Sequence, residues 1–275
     1  MTKVNETANH SGRPENLKDM ARDLLAGKIA VVTGASRGIG RAIALRFAAE
    51  GALVAVHYGR NRELAEEALR EIEQQGGKAF SIGAMLGSRA SVDEFIAKLD
   101  AELGKRTGGN RFDILVNNAG IAPFGTLEST TEALFDELFG LNVKIPFFLT
   151  QQSLTRLRDG GRVINLSSGI SQKAVPERLP YAMTKGALNV FSQTMARALA
   201  PRGITVNALA PGFVETDMNA DYFSDPKARQ YAERVSVFKR LGKPEDIAGV
   251  AVFLASDDAH WVTGHYMDAT GGSLL

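Results

Sequence analysis

The chain has 275 residues, 44% of them hydrophobic, enough for one large domain with a filled core. Its 32 Lys and Arg nearly cancel its 31 Asp and Glu, so no global field draws it to nucleic acid or to an anionic membrane. It has no cysteine, which excludes disulfides, zinc–thiolate centres and thiol nucleophiles, and its four histidines stand in no metal-ligand spacing.

The opening MTKVNETANHSGRPENL is polar and carries neither a signal peptide nor an anchor. Residues 1–25 read as a mobile tail, in which NLKDMARDLLAGK forms a possible short helix with Leu17, Met20 and Leu24 on one face and Gly27 as its stop. A single catalytic domain is expected over 26–275. No stretch approaches the run of about 18 apolar residues that a membrane helix needs. The absence of cysteine fits a reducing, cytoplasmic location.

From Lys28 onward strand and helix alternate. KIAVVTGA reads as a buried strand, GRAIALRFAAEG as a helix, ALVAVHYG as a strand and NRELAEEALREIEQQGG as a charged helix. KAFSIGAM is a third strand. SVDEFIAKLDAELG is a helix with Ser91 as its expected N-cap. FDILVNNAG is a fourth strand, followed by a helical region over 131–157 with a kink expected at Pro146. GRVINLSSG, ITVNALAPG and HYMDATGG supply three more strands. Between them lie the helix YAMTKGALNVFSQTMARALAPRG and a helical region over 219–255. Uniformly apolar strands separated by helices predict an α/β fold: a doubly wound, parallel, seven-stranded sheet with helices on both faces. Ligands bind such sheets at the carboxyl ends of the strands.

The first strand runs into TGASRGIG, with Gly34, Gly38 and Gly40 placed to let a phosphate approach the backbone at the start of a helix. The same residues also suit an ordinary strand–helix turn. The second strand ends in VHYGRN, where an acid would accept the adenosine ribose of NAD; Arg60 stands there instead, and Arg37 lies in the glycine loop. Two guanidinium groups suit the 2′-phosphate of NADP, although exposed arginines are common without such a role. After the fourth strand, Asn117 and Asn118 of NNAG are placed to bridge neighbouring strands, and Gly120 permits close approach to a flat ring. Asn142, Ser168 and the segment PGFVET then follow, where Pro211 and Gly212 shape a turn and Thr216 offers a hydroxyl.

Taken together, TGASRGIG, NNAG, LNV, INLSS, YAMTK, APG and a late TG resemble the short-chain dehydrogenase/reductase family, in that family's order and over nine-tenths of the chain. Thirteen residues separate Ser168 from Tyr181, the family's own spacing. The resemblance implies an NAD(P)-dependent oxidoreductase acting on a carbonyl/alcohol pair, with NADP(H) preferred and NAD(H) possible. It implies Tyr181 as the general acid/base, Ser168 as the hydrogen-bond donor to the carbonyl, Lys185 as the group that holds the nicotinamide ribose and lowers the tyrosine pKa, and Asn142 as the anchor of a proton-relay water. It assigns cofactor contacts to Gly34, Ser36, Arg37, Gly38, Ile39, Gly40, Tyr58, Arg60, Asn61, Met85, Leu86, Asn118, Ala119, Gly120, Tyr181, Lys185, Pro211, Gly212, Val214 and Thr216, and implies no metal. It also implies a homo-oligomer, a dimer or tetramer packed through helices that include 131–157 and 181–200. Two departures stand out. Met85 and Leu86 occupy the place where the family usually has an aspartate on adenine, and GISQKAVPERLP replaces the glycine- and asparagine-rich segment of β-ketoacyl-carrier-protein reductases.

Bringing a tyrosine from about 10 to about 7 takes about 4 kcal/mol. An ammonium at roughly 5 Å supplies about 3 kcal/mol at an effective dielectric near 20. Lys185 alone therefore falls short, and the pair should work best with the cofactor in place. A non-catalytic dinucleotide-binding regulator and a lyase or epimerase on the same fold are the alternatives. A lid is expected over about 216–240; its Met218, Tyr222 and Phe223, with Phe213, suit either an apolar substrate mouth or the lid's own core.

Overall fold

A computed structural model describes residues 23–273 and 275. The expected tail and most of its helix lie outside the described residues. Within them, residues 24–27 form a turn ending at Gly27, with φ +72°, and Leu25 is already buried.

Seven strands form one sheet: β1 (Ile29–Val32), β2 (Leu53–Tyr58), β3 (Lys78–Gly83), β4 (Phe112–Asn117), β5 (Leu157–Leu166), β6 (Thr205–Pro211) and β7 (Tyr266–Ala269). All pairings are parallel, in the order β3-β2-β1-β4-β5-β6-β7. The chain reverses its direction of travel between β1 and β4, which makes the carboxyl ends of those strands the topological switch point.

Both faces of the sheet are covered, and this is why the strands read as unbroken apolar runs. Along β1, Ala30 and Val32 join a core with α1 (Gly38–Ala49), α2 (Arg62–Gln74) and α9 (Pro244–Ala255). Ile29 and Val31 face the opposite core, built with α3 (Arg89–Thr107), α5 (Ile145–Ser153) and α6 (Leu179–Leu199).

Four boundaries depart from the sequence reading. The N-cap of α3 is Ser88, not Ser91; the two serines form a capping box, so the helix starts earlier than expected. The helical region after β4 is α4 (Glu132–Phe139), a π-turn over Gly140–Lys144, then α5. The irregularity thus precedes Pro146, which sits in the first turn of α5; lacking an N–H, it withdraws the bond an α-helix would give the Asn142 carbonyl. That helix stops at Ser153, and β5 begins at Leu157, with a register shift opposite Phe112 and Ile114. The last helical region is broken into α7 (Ala220–Ser224), α8 (Pro226–Val235) and α9, with Pro226 and Pro244 each opening a new helix.

Candidate active site

The turn after β1 has open backbone. Gly34 and Gly38 have φ angles of +62° and +56°, which favour glycine. A side chain on Gly40 would collide with the Gly34 carbonyl and the Asn118 amide. Arg37 caps α1 without a side-chain hydrogen bond, so no side chain competes for the first N–H groups of the helix. Asn118 donates to the carbonyls of Thr33 at 2.8 Å and Gly34 at 2.9 Å. The Thr33 hydroxyl accepts the N–H groups of Asn118 at 2.9 Å and Ala119 at 3.0 Å. The turn is thereby locked to the end of β4, and the cradle fits a dinucleotide pyrophosphate.

A second anchor comes from β2. His57 is buried, and its Nδ1 accepts the Gly34 N–H at 3.0 Å while Nε2 faces the Ala84 carbonyl at 2.9 Å. This pattern places the single proton on Nε2. Burial lowers its pKa to about 4, so the ring is neutral in ordinary buffers.

The remaining residues of the expected adenosine half stand apart from the catalytic cavity. Tyr58 ends β2 with its hydroxyl against Gly83, leaving no room for a Cβ there. Arg60, Asn61 and Met85 are exposed, and Leu86 packs on the α3 side. Arg37 lies 3.6 Å from Asp217, with both side chains more than half exposed. Both arginines are exposed, Arg37 within the glycine turn and Arg60 just past the end of β2.

Across the switch point, β5 and α6 bring Ser168, Tyr181 and Lys185 into one cavity of about 420 Å³, together with Ile39, Asn118, Gly120, Pro211, Gly212, Val214 and Thr216. Ser168 follows β5, and its carbonyl accepts the hydroxyls of Ser171 at 2.8 Å and Tyr266 at 3.3 Å. Lys185 is buried and donates from Nζ to the Leu166 carbonyl at 2.6 Å, with Nζ 5.6 Å from the Tyr181 ring centroid. Desolvation lowers the ammonium to about 8. Burial raises the Tyr181 phenol; hydrogen bonding with Ser168 and the charge of Arg178 pull the other way. In the protein by itself removal from water is the largest influence on the phenol, which stands above its ordinary value.

Asn142 lies behind the cavity, not in its lining. Its Oδ1 accepts the Ile121 N–H at 3.0 Å, and its Nδ2 donates to the Ile121 carbonyl at 2.9 Å and to the Thr184 hydroxyl at 3.2 Å. Thr184 in turn donates to the Tyr181 carbonyl at 2.7 Å. The Asn142 side chain thus positions both the loop after β4 and the first turn of α6.

Sequence reasoning did not single out His57, Thr184 or Arg178. Arg178 is the N-cap of α6, and its guanidinium Cζ stands 3.5 Å from the centroid of Phe124. Phe124 is 6.2 Å from Tyr222, which stacks on Phe213 at 5.8 Å with an interplanar angle of 4°. An aromatic wall therefore lines the cavity mouth. Arg178 lies within GISQKAVPERLP, the segment marked above only for what it lacks. Among the described residues, no group of His, Asp and Glu is placed to hold a metal ion.

The family profile described as Enoyl-(Acyl carrier protein) reductase matches residues 34–273. The chain belongs to the short-chain dehydrogenase/reductase family. It is an NAD(P)-dependent oxidoreductase that interconverts a carbonyl and an alcohol. Versicolorin reductase 1 of Aspergillus parasiticus is 40% identical over 261 residues, spanning 91% of this chain and 97% of the relative. Tetrahydroxynaphthalene reductase of Pyricularia oryzae is 37% identical over 263 residues, spanning 91% of each chain. The crystal structure of the angucycline C-6 ketoreductase LanV with bound NADP superposes with a TM-score of 0.88 at 46% identity, covering 91% of this chain and 97% of that one.

Proposed function

We propose that the chain uses NADPH to reduce a ketone carried on a flat, fused-ring hydroxyarene. The observation that carries this reading is the aromatic wall of Phe124, Tyr222 and Phe213 beside the Ser168–Tyr181 pair. Stacked and tilted faces of this kind suit a planar ring system. Tetrahydroxynaphthalene, in the name of one relative, is such a ring, and LanV is an angucycline C-6 ketoreductase with bound NADP.

NADPH, when bound, supplies the hydride. Gly34, Gly38 and the uncapped start of α1 hold its pyrophosphate; Arg37 and Arg60 take the 2′-phosphate, with no acid at the end of β2 to favour NAD. Tyr58, Asn61, Met85 and Leu86 border the adenosine half. Ser36, Ile39, Asn118, Ala119, Gly120, Pro211, Gly212, Val214 and Thr216 border the rest. Ser168 donates a hydrogen bond to the ketone oxygen and Tyr181 delivers its phenolic proton there, so the charge developing on oxygen is met by two hydroxyls. Burial keeps the phenol in its protonated, donating form in the protein by itself. Lys185 orients the nicotinamide ribose and returns a proton to Tyr181. The Asn142 carbonyl, which Pro146 cannot engage, anchors the water that feeds the relay.

The segment from Thr216 to Arg240 acts as the lid. Phe147, Met183 and Val190, exposed on α5 and α6, support a homo-oligomer packed through those helices. No described helix is long and apolar enough to cross a membrane. The absence of cysteine supports a cytoplasmic location.

The test is reduction of β-tetralone and its hydroxylated analogues, followed by loss of NADPH absorbance, in wild type and Tyr181→Phe. The variant should lose at least about a hundredfold in kcat while still binding NADPH. A Tyr181→Phe enzyme near the wild-type rate would overturn the assignment.

A further inference from the structure

Arg178 is a cation that the proposed chemistry leaves without a task. It is held rigidly. Its backbone forms a parallel bridge with Gly125, whose N–H donates to the Glu177 carbonyl at 2.8 Å. Its Nη1 donates to the Ala122 carbonyl, and the guanidinium lies over the Phe124 ring. The loop after β4 and the start of α6 thus grip one planar fork, three residues ahead of Tyr181.

Most of that fork is unspent. A guanidinium has five N–H donors, and within the described residues only the Ala122 carbonyl takes one. No carboxylate stands within ion-pair distance there. The ionisable groups that bear on the guanidinium are the phenols of Tyr181 and Tyr222, and burial lowers its pKa. Glu177 also lines the cavity but does not act on it, and Lys185 is engaged with the Leu166 carbonyl. A partly buried cation facing a cavity without a counter-ion is unfavourable unless a ligand supplies the missing acceptor. The same Phe124 ring carries the guanidinium and opens the aromatic wall. A planar ligand stacked along that wall presents its edge to the fork.

We propose that Arg178 is a specificity-determining residue that reads an acidic hydroxyl, a phenol or enol oxygen, on the ring system bearing the ketone. The inference rests on the fused-ring reading above and assigns the residue that reads that ring's hydroxyl. Hydrogen bonds to a charged donor discriminate by about tenfold to a hundredfold.

The experiment compares kcat/KM for β-tetralone with that for β-tetralones bearing one phenol on the aromatic ring, in wild type, Arg178→Leu and Arg178→Lys. At least one phenol should exceed the parent by about tenfold in wild type. That ratio should fall to near unity in Arg178→Leu and stand between the two in Arg178→Lys, which keeps the charge and loses the planar fork. A preference that survives Arg178→Leu, or no preference in wild type, overturns the proposal. If the leucine variant does not fold, an Arg178→Lys ratio equal to wild type overturns it equally. Fluorescence titration of the enzyme–NADP⁺ complex with β-naphthol and naphthalene separates the two readings. If no tetralone is reduced but β-naphthol binding still depends on Arg178, the fused-ring ketone assignment fails and the arginine subsite stands. If tetralones are reduced and β-naphthol binds no better than naphthalene, the subsite fails and the reductase stands.

Discussion

Lys185 is the place where catalysis and stability should conflict most measurably. Its ammonium is buried and is lowered from 10.5 to about 8 by desolvation. A change of that size sets about 3 kcal/mol against the charged native form at neutral pH. Replacing Lys185 with Met keeps most of the stem and removes the charge. It also removes the 2.6 Å bond to the Leu166 carbonyl, a loss of about 1 kcal/mol. Lys185→Met should therefore be inactive yet more stable than wild type by about 2 kcal/mol at neutral pH. The pH dependence tests the cause. Between about pH 8 and pH 10.5 the unfolded chain holds a proton that the native chain has released, so wild-type stability rises through this window and the variant's does not. The variant's advantage is full below pH 8 and gone by pH 10.5, where only the lost hydrogen bond remains. Urea unfolding of both proteins at neutral pH and near the top of the window measures this. A folded Lys185→Met protein less stable than wild type at neutral pH, or a gap that does not change with pH, would refute the reasoning.

His57 should govern the acid limb: its folded pKa is about 4 against an ordinary 6.5, so the stability it contributes is complete above pH 6.5 and lost as pH falls toward 4. Urea unfolding of His57→Leu across that range should show a flatter acid slope from a lower starting stability. Asn118→Ala deletes two hydrogen bonds that tie the glycine turn to β4, and denaturant titration should show a loss of about 1–3 kcal/mol, with weaker NADPH binding. Arg37→Ala and Arg60→Ala should each reduce the NADPH-over-NADH ratio of kcat/KM by about tenfold or more, with little change for NADH. Ratios equal to wild type would remove both arginines from the cofactor assignment.

The sheet was legible in the sequence because it depends on local rules, whereas Ser168, Tyr181 and Lys185, which share one cavity, were marked by the family resemblance. Strands buried on both faces are apolar-rich, most completely in β1, and residues next to strand ends must lie along one edge. What was not legible depends on partners distant in sequence. Arg178 looks like any loop arginine until Ala122 and Phe124, more than fifty positions earlier, fold against it. His57 reads as a strand residue until Gly34 and Ala84 close on its two nitrogens. Ser88 and Ser91 both suit an N-cap by composition, and only the capping geometry separates them. Pro146 correctly marked a break, but the π-turn that accommodates it lies upstream, where Asn142 bonds to Ile121 and Thr184.

Tyr181 and Lys185 start from nearly equal ordinary values and are shifted apart by a single cause. Burial disfavours the phenolate and the ammonium alike, so it raises one and lowers the other. Both shifts favour passing a proton from the lysine to the phenolate, since the lysine becomes a weaker holder and the tyrosine a stronger one. For ketone reduction this is the useful direction. The phenol must be protonated when the hydride arrives and must be reloaded afterwards, and a lysine near 8 can return a proton that one near 10.5 would retain. In oxidation the same burial works against the phenolate, so charge must come from elsewhere in the site. Arg178 and the Ser168 hydroxyl are the groups already pulling that way within the protein. The arginine that we assign to substrate selection therefore also sits where its removal would push the phenol further up, and for this reason its test compares two substrates on one enzyme and does not rely on a single rate.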